Sequence, residues 1–193
     1  MKKHLDLGCG PSPKNTYNCD ELYGIDIRSG ASEGSKILIA NLAFEPIPFP
    51  VNYFDSVSAY DFFEHIPRVS IDYGSRCSRF PFIELMNEIW RVLKPSGLLY
   101  SMTPAFPGEK AFRDPTHVNI ISSKTHRYFT APHFLARMYG FNGSFHLIRQ
   151  AWVHPRCIYE PKNPGLKSRI RNLGEKLTGQ QSHLVWEFSA IKP

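Results

Sequence analysis

Short apolar runs that end at glycine or at a polar residue recur through the first third of the chain, and they constrain the fold most. Four such runs occupy residues 4–7, 22–27, 36–40 and 55–60. Each has the length of a buried strand, and polar or proline-rich and glycine-rich segments separate them. Strands joined by such connections are typical of a parallel sheet that is covered on both faces, which is the α/β class.

The rest of the chain continues this pattern. Residues 82–93 carry apolar side chains at helical spacing, and Pro95 and Gly97 then end the helix. Residues 98–103 predict a fifth strand, residues 124–139 a second helix, and residues 145–152 and 183–191 two more strands. The last of these alternates apolar and polar side chains, as expected of an edge or antiparallel strand. The pattern therefore predicts seven strands, mostly parallel, with the last one antiparallel.

Length and composition place these strands in one domain. A chain of 193 residues is long enough for one full core and short for two. Its apolar runs fall short of the roughly 20 residues that a membrane helix needs, and the first run is too short for a signal peptide. The four cysteines are scattered without a C-x-x-C pair. We therefore expect a single cytoplasmic domain, residues 1–193, with reduced, structural thiols.

A glycine loop follows the first predicted strand. Gly8 and Gly10 can adopt positive φ angles and leave room for a ligand beside the backbone. The dinucleotide fingerprint would need a third glycine where Pro13 stands, and the chain contains no phosphate-binding G-x-x-x-x-G-K-[ST] loop. Asp26 ends the next strand, where a carboxylate can accept hydrogen bonds from ribose hydroxyls. Together these features favour a nucleoside site that does not bind NAD.

Four further motifs follow in order: PF at residues 48–49, FDSV at 54–57, EHI at 64–66 and RVLKPSG at 91–97. In this set the chain resembles the class I S-adenosylmethionine-dependent methyltransferases, especially the small type called methyltransferase domain 11. The sequence DPTHV at residues 114–118 is similar to a subgroup that is associated with bacterial surface-glycan genes. The resemblance implies a Rossmann-like seven-stranded α/β sheet with helices on both faces, and an enzyme.

The resemblance also implies a cofactor site. S-adenosyl-L-methionine would be the methyl donor and S-adenosyl-L-homocysteine the product. The residues expected to bind the cofactor are Asp6, Gly8, Cys9, Gly10, Asp26, Ile27, Asn41, Leu42 and Tyr60. The chain departs from the family at Ser12, where a third glycine is usual, and residues 11–20 are too short and too rich in proline and asparagine for the usual first helix.

Three residues are candidates for catalysis. Methyl transfer to an oxygen usually requires removal of a proton, and histidine suits that role at neutral pH. His117 follows the fifth strand and is the preferred general base, with a structural histidine as the equal alternative. His65 is its rival, and Asp61 ends the fourth strand near the methyl-donor end. No metal-ligand spacing occurs, so the sequence predicts metal independence.

The acceptor is left open by the sequence. A basic insert at residues 153–182 holds six Lys or Arg against two acids, and the whole chain has a net charge of +6. This insert could bind an acidic sugar or touch a membrane surface, or it could be a solvated helix. We expect O-methylation of a sugar, glycan or other small molecule. The alternatives are an RNA methyltransferase, for which the N/D-P-P-Y/F tetrad is missing, and a non-catalytic cofactor-binding scaffold.

Overall fold

The computed structural model describes residues 1–28, 36–74, 76–156, 170, 173–174 and 181–193. Its strands are β1 Lys3–Leu7, β2 Glu21–Asp26, β3 Ile37–Ile39, β4 Phe54–Tyr60, β5 Ser70–Asp72, β6 Cys77–Arg79, β7 Leu93–Phe106, β8 Ile121–Ser122, β9 Phe145–Val153 and β10 His183–Ala190. The α-helices whose bounds fall within the described residues are α1 Pro81–Val92 and α2 Lys110–Arg113. All seven predicted strands are present within these residues.

The main sheet has the order β3-β2-β1-β4-β7-β10-β9, and the short β8 pairs with the end of β7. The first five strands of this order are parallel, whereas β10 runs antiparallel to both β7 and β9. The prediction of a mostly parallel Rossmann-like sheet with an antiparallel last strand is confirmed. Because the strand order reverses between β1 and β4, a crevice forms at the carboxyl ends of these strands, where such sheets bind ligands.

Helix α1 confirms the helix predicted for residues 82–93. Pro81 occupies its first turn, where a missing N–H costs nothing, and Leu93 leaves the helix with an extended backbone. The buried residues of α1 recur every three or four positions and include Phe82, Met86 and Ile89. They pack on one face of the sheet, against the apolar core that contains Leu5, Val57 and Trp186 among others.

The helix predicted for residues 124–139 is wrong. The structure has two short 3-10 turns there, Thr125–Tyr128 and Leu135–Tyr139. Pro132 interrupts the stretch because it has no N–H to donate, and Phe134 adopts a left-handed φ of +47°. The apolar spacing that suggested a helix instead buries single side chains such as Phe129 against α1.

The opposite face of the sheet is polar near its centre. His4 Nδ1 is 2.7 Å from Ser56 Oγ, and its Nε2 is 2.8 Å from Ser58 Oγ. Ser58 Oγ in turn donates to Asp6 Oδ1 at 2.6 Å. The non-helical segment between β1 and β2 covers this face through Tyr17, whose ring packs edge-on against His4. A series of hydrogen bonds between buried side chains therefore connects the sheet to Asp6, next to the loop that follows β1.

Burial lowers the pKa of His4 to about 4, below its usual value of 6.5. Unfolded His4 takes up a proton as the pH falls below 6.5, whereas folded His4 resists it until about pH 4. His4 therefore costs about 3 kcal/mol of stability across that window. We expect His4→Gln to reduce the acid-dependent loss of stability by this amount. Urea unfolding at pH 7 and pH 4 measures it, and His146→Gln, at an exposed histidine, must leave the loss unchanged.

Two sequence predictions concern the chain outside this sheet. Most of the predicted basic insert at residues 153–182 lies outside the described residues. No helix among the described residues is long and apolar enough to cross a membrane.

Candidate functional site

The loop after β1 is shaped by two left-handed glycines. Gly8 has a φ of +63° and Gly10 a φ of +58°. A Cβ on Gly8 would stand 2.5 Å from Cδ2 of Phe62, so the backbone and this ring approach as closely as only glycine permits. A Cβ on Gly10 would have Arg28 Nη2 as its nearest neighbour, at 3.8 Å. Gly8 is required both for its positive φ and for the close contact with Phe62, whereas Gly10 is required only for its positive φ.

The buried side chain of Asp6 fixes this loop through hydrogen bonds. It is only 1% exposed, and its Oδ2 accepts a hydrogen bond from the Lys14 N–H at 2.8 Å. Its other oxygen accepts from Ser58. Burial raises the pKa of Asp6 to about 6, although the bonds from Lys14 and Ser58 oppose that rise. These contacts make Asp6 a positioning residue for the loop, and its predicted contact with the cofactor stays a prediction.

Asp26 is joined to the same loop from the end of β2. Its Oδ2 accepts from the Gly10 N–H at 2.8 Å, and its Oδ1 accepts from the backbone N–H and the Nε of Arg28 at 2.9 and 3.1 Å. Burial alone would raise the pKa of Asp26, but the hydrogen bonds from Arg28 and Gly10 hold it below its usual value. Asp26 is 5% exposed, and its three hydrogen bonds use three of the about four acceptor directions of an ionised carboxylate, so one ribose hydroxyl can still bind it.

The other predicted cofactor residues divide into exposed and packed ones. Ile27 is 62% exposed beyond Asp26, and Asn41 lies close by because the Ala40 N–H donates to the Asp26 carbonyl. In contrast, three side chains are at least 94% buried: Cys9, Leu42 and Tyr60. Cys9 packs beside Gly24, Leu42 belongs to the main core, and the Tyr60 hydroxyl is 2.9 Å from Thr16 Oγ1. Side-chain contact with a ligand is therefore open to Ile27 and Asn41.

These residues fit S-adenosylmethionine. Gly8 and Gly10 present bare backbone, Asp26 presents a fixed carboxylate, and Ile27 presents an apolar side chain, all at the carboxyl ends of β1 and β2. A nucleoside with an attached amino acid needs a close backbone approach, a ribose acceptor and an apolar surface for its base.

A polar cavity of about 570 Å³ lies beyond the carboxyl ends of β4 and β7. Three prolines and eight titratable side chains line it: Pro104, Pro115, Pro155, Asp61, Glu64, His65, Lys110, Arg113, Asp114, His117 and His183. All three predicted catalytic residues are therefore brought to one cavity. Its volume suits a small organic ligand.

Asp61 and His183 form a close pair in this cavity. His183 Nε2 lies 3.1 Å from Asp61 Oδ1, and His183 Nδ1 is 3.0 Å from Ser182 Oγ. The Asp61 side chain is 55% exposed, whereas that of His183 is 6% exposed. Asp61 has a left-handed φ of +47° and donates its N–H to the Met102 carbonyl, which turns the chain away from β4 at this point.

His117, the preferred general base of the sequence analysis, is nearly buried. Its side chain is 10% exposed, and its Nε2 lies 3.9 Å from Asp114 Oδ2 and 4.0 Å from Glu64 Oε1. Its ring packs edge-on against that of His65, with centroids 4.9 Å apart. Glu64 itself is 1% exposed, and burial raises its pKa to about 8.

Comparison with known proteins gives this geometry its context. The sequence profile of the methyltransferase domain 11 family matches residues 5–101, just over half of the chain. The chain belongs to this family. It is an S-adenosylmethionine-dependent methyltransferase, and the prediction of class, enzyme and cofactor is confirmed. No curated protein matches the sequence.

Solved structures share the fold of this methyltransferase. The methyltransferase bound to the Trm112 activator of Haloferax volcanii is 16% identical with a TM-score of 0.60, covering 99% of this chain and 83% of that one. A SAM-dependent methyltransferase of Archaeoglobus fulgidus is 16% identical with a TM-score of 0.56, covering 97% and 86%. Phosphoethanolamine N-methyltransferase 1 of Haemonchus contortus, solved with S-adenosylhomocysteine, is 10% identical with a TM-score of 0.60, covering 100% and 39%.

Sequence reasoning missed two residues of the methyltransferase cavity. His183 begins β10 and pairs in register with Pro104 of β7. Because β10 is antiparallel, its first residue lies at the carboxyl end of the parallel strands, and the predicted strand direction could have revealed this. Glu64 carried a second signal, since an acid flanked by Phe62, Phe63 and Ile66 is placed to be buried.

Proposed function

We propose that this methyltransferase transfers a methyl group to a hydroxyl of a small polyhydroxylated acceptor, such as a sugar or a glycan unit. The observation that carries the proposal is the cavity beyond β4 and β7, where charged and imidazole side chains surround a space of about 570 Å³. Such a lining favours an acceptor that forms many hydrogen bonds. Among the described residues that line it, none is a phenylalanine, tyrosine or tryptophan, so stacking of a nucleobase would fall to its three histidines.

Asp26, Gly8, Gly10, Ile27 and Asn41 would hold the cofactor, which supplies an electrophilic methyl group when bound. Asp26 is joined to the loop through Gly10, so ribose binding and loop shape depend on one carboxylate. The packed residues Cys9, Leu42 and Tyr60 would support the site through their backbone or their packing.

Asp61 would receive the proton of the acceptor hydroxyl. Its carboxylate is half exposed in the cavity, and His183 contacts one oxygen and leaves the other for the acceptor. We prefer Asp61 to the predicted base His117 because His117 is nearly buried and faces two carboxylates. His183 then acts as a positioning residue that orients Asp61 and stabilises its charge.

An acceptor screen tests the proposal. The purified protein is incubated with S-adenosylmethionine labelled in its methyl group, together with sugar nucleotides, glycans or RNA in separate reactions. We expect label in a sugar or glycan fraction, in an alkali-stable ether. Label in RNA, or on nitrogen of a small amine, would overturn the assignment of the acceptor while leaving the enzyme class intact.

The cofactor site has its own prediction. Asp26→Ala should weaken binding of S-adenosylmethionine about 100-fold, because hydrogen bonds to a charged group contribute about 1.5–3 kcal/mol each. Isothermal titration calorimetry measures this directly. The matched control is Asp20→Ala, since Asp20 is exposed at the opposite end of β2 and should leave affinity unchanged. Equal affinity in wild type and Asp26→Ala would remove the ribose role from Asp26.

A further inference from the structure

Glu64 is an unusual residue for the interior of this fold. It lies in the 3-10 turn Phe63–His65, it is 1% exposed, and neither of its carboxylate oxygens has a hydrogen-bond partner in the described part of the chain. An ionised carboxylate in such a place is costly unless a cation accompanies it. Asp61 and Asp114 are acidic and cannot compensate its charge, whereas His117, whose Nε2 is 4.0 Å from Glu64 Oε1, can do so only when it is protonated.

The backbone fixes Glu64 against a second segment. The Glu64 carbonyl accepts hydrogen bonds from the N–H groups of Val118 and Asn119, both at 2.9 Å. Asn119 Nδ2 also donates to the Phe63 carbonyl at 3.0 Å. These contacts bring His117 next to Glu64, so one ligand atom each of Glu64, His65 and His117 lies within 4.8 Å of the other two.

Hydrogen bonding also selects the tautomer of His65. Thr116 Oγ1 donates its one proton to Asp114 Oδ1 at 2.7 Å, so it can only accept from His65 Nδ1, which is 3.0 Å away. A proton on Nδ1 leaves the Nε2 lone pair of His65 free to bind a cation. Metal-binding histidines have this arrangement, in which the second nitrogen donates to a nearby oxygen.

We propose that Glu64, His65 and His117 form a binding site for a divalent transition metal ion, with Zn²⁺ as its simplest occupant. Two imidazoles and one carboxylate suit Zn²⁺ or Fe²⁺ and do not suit Mg²⁺, which prefers oxygen ligands. His117 Nε2 and Glu64 Oε1 are 4.0 Å apart. In a tetrahedral zinc site with bonds of about 2.0–2.1 Å, the ligand atoms are about 3.3 Å apart. Side-chain rotations that move these atoms by roughly 1 Å would therefore bring them to bonding distance of one ion.

Three protein ligands leave a coordination position open toward the cavity that these residues line. An acceptor hydroxyl bound there would lose its proton more readily, and the proton would pass to Asp61 as the oxygen–methyl bond forms and the carbon–sulfur bond breaks. This role rests on the proposed O-methyl transfer, whereas metal binding does not. The linear sequence did not suggest the site because His117 comes from a distant segment.

Calorimetric titration of the chelator-treated full chain with Zn²⁺, without cofactor or acceptor, tests the metal site. We expect one tightly bound ion per chain and at least 100-fold weaker binding in Glu64→Gln and in His117→Gln. Thr116→Val, which removes the partner of His65 Nδ1, should weaken binding about 10- to 100-fold. The control His133→Gln removes an exposed histidine and should bind like wild type. All variants retain the four cysteines, so binding by thiols is common to them.

Thermal unfolding keeps the proposal falsifiable if a variant folds poorly. Zn²⁺ should raise the midpoint of wild type and of His133→Gln and leave that of Glu64→Gln unchanged. Glu64→Gln without metal should be at least as stable as wild type, because an uncompensated buried carboxylate has been removed. Absence of stoichiometric binding, or equal binding by wild type and Glu64→Gln, would overturn the metal site. A failed acceptor screen would overturn only its role in O-methylation.

Discussion

Asp61→Asn should lower kcat about 100- to 1,000-fold, with the acceptor that the screen identifies, while the affinity for S-adenosylmethionine stays within twofold. Asparagine keeps the size of the side chain but cannot take up the acceptor proton, and general-base catalysis typically contributes about 10²- to 10⁴-fold. The substitution also respects the backbone, because Asp61 has a φ of +47° and asparagine tolerates that region. Alanine at this position would combine the chemical loss with backbone strain.

Companion variants separate the proposed base from its support. His183→Gln can still donate a hydrogen bond to Asp61 and should lose only about 10-fold in kcat, since it removes orientation rather than the proton acceptor. His117→Gln should reduce kcat mainly through loss of bound metal. If Asp61→Asn retains activity within threefold and His117→Gln loses about 1,000-fold without any change in metal content, the base is His117, as the sequence predicted.

Parts of this site that lie within one segment could be predicted from the sequence. Gly8, Gly10 and Asp26 follow predicted strands, and neighbouring parallel strands bring their carboxyl ends together. His183 and Glu64 carry weaker signals, in the strand direction and in the apolar neighbours, because their contacts come from distant segments. His183 meets Asp61 only through the register of β10 on β7, and Glu64 meets His117 only through the hydrogen bonds of residues 118 and 119.

The predicted roles of buried residues show a second limit of sequence reasoning. Motif position placed Leu42 and Tyr60 in the cofactor site, yet Leu42 packs into the core and the Tyr60 hydroxyl contacts Thr16. Likewise Asp6 accepts hydrogen bonds from Ser58 and Lys14, and its predicted contact with the cofactor stays a prediction. A motif gives the place of a residue along a strand, whereas its hydrogen-bond partners decide whether the side chain faces a ligand or holds the loop.

Gly8→Ala should be the most damaging single substitution in the cofactor loop. At a φ of +63° an alanine costs about 1–2 kcal/mol. Its Cβ would also stand 2.5, 2.9 and 3.1 Å from Cδ2, Cγ and Cβ of Phe62, which are not the mobile end of that side chain. Overpacking of this kind costs about 1–3 kcal/mol more. We expect a total loss of about 2–5 kcal/mol in urea unfolding and at least 100-fold weaker binding of S-adenosylmethionine.

Variants at Gly140, Gly10 and Phe62 separate the backbone part of this stability loss from the overpacking part. Gly140 has a φ of +89°, and a Cβ added there would meet no atom within 4 Å, so Gly140→Ala should show only the backbone cost and bind the cofactor normally. Gly10→Ala should show the same backbone cost, because its nearest neighbour is 3.8 Å away. Phe62→Ala lacks the Cγ and Cδ2 atoms that the new Cβ would meet, so Gly8→Ala should cost only the backbone part when it is made in Phe62→Ala. If Gly8→Ala is no less stable than Gly140→Ala, then Phe62 moves freely, and the close contact between this ring and the loop does not shape the cofactor site.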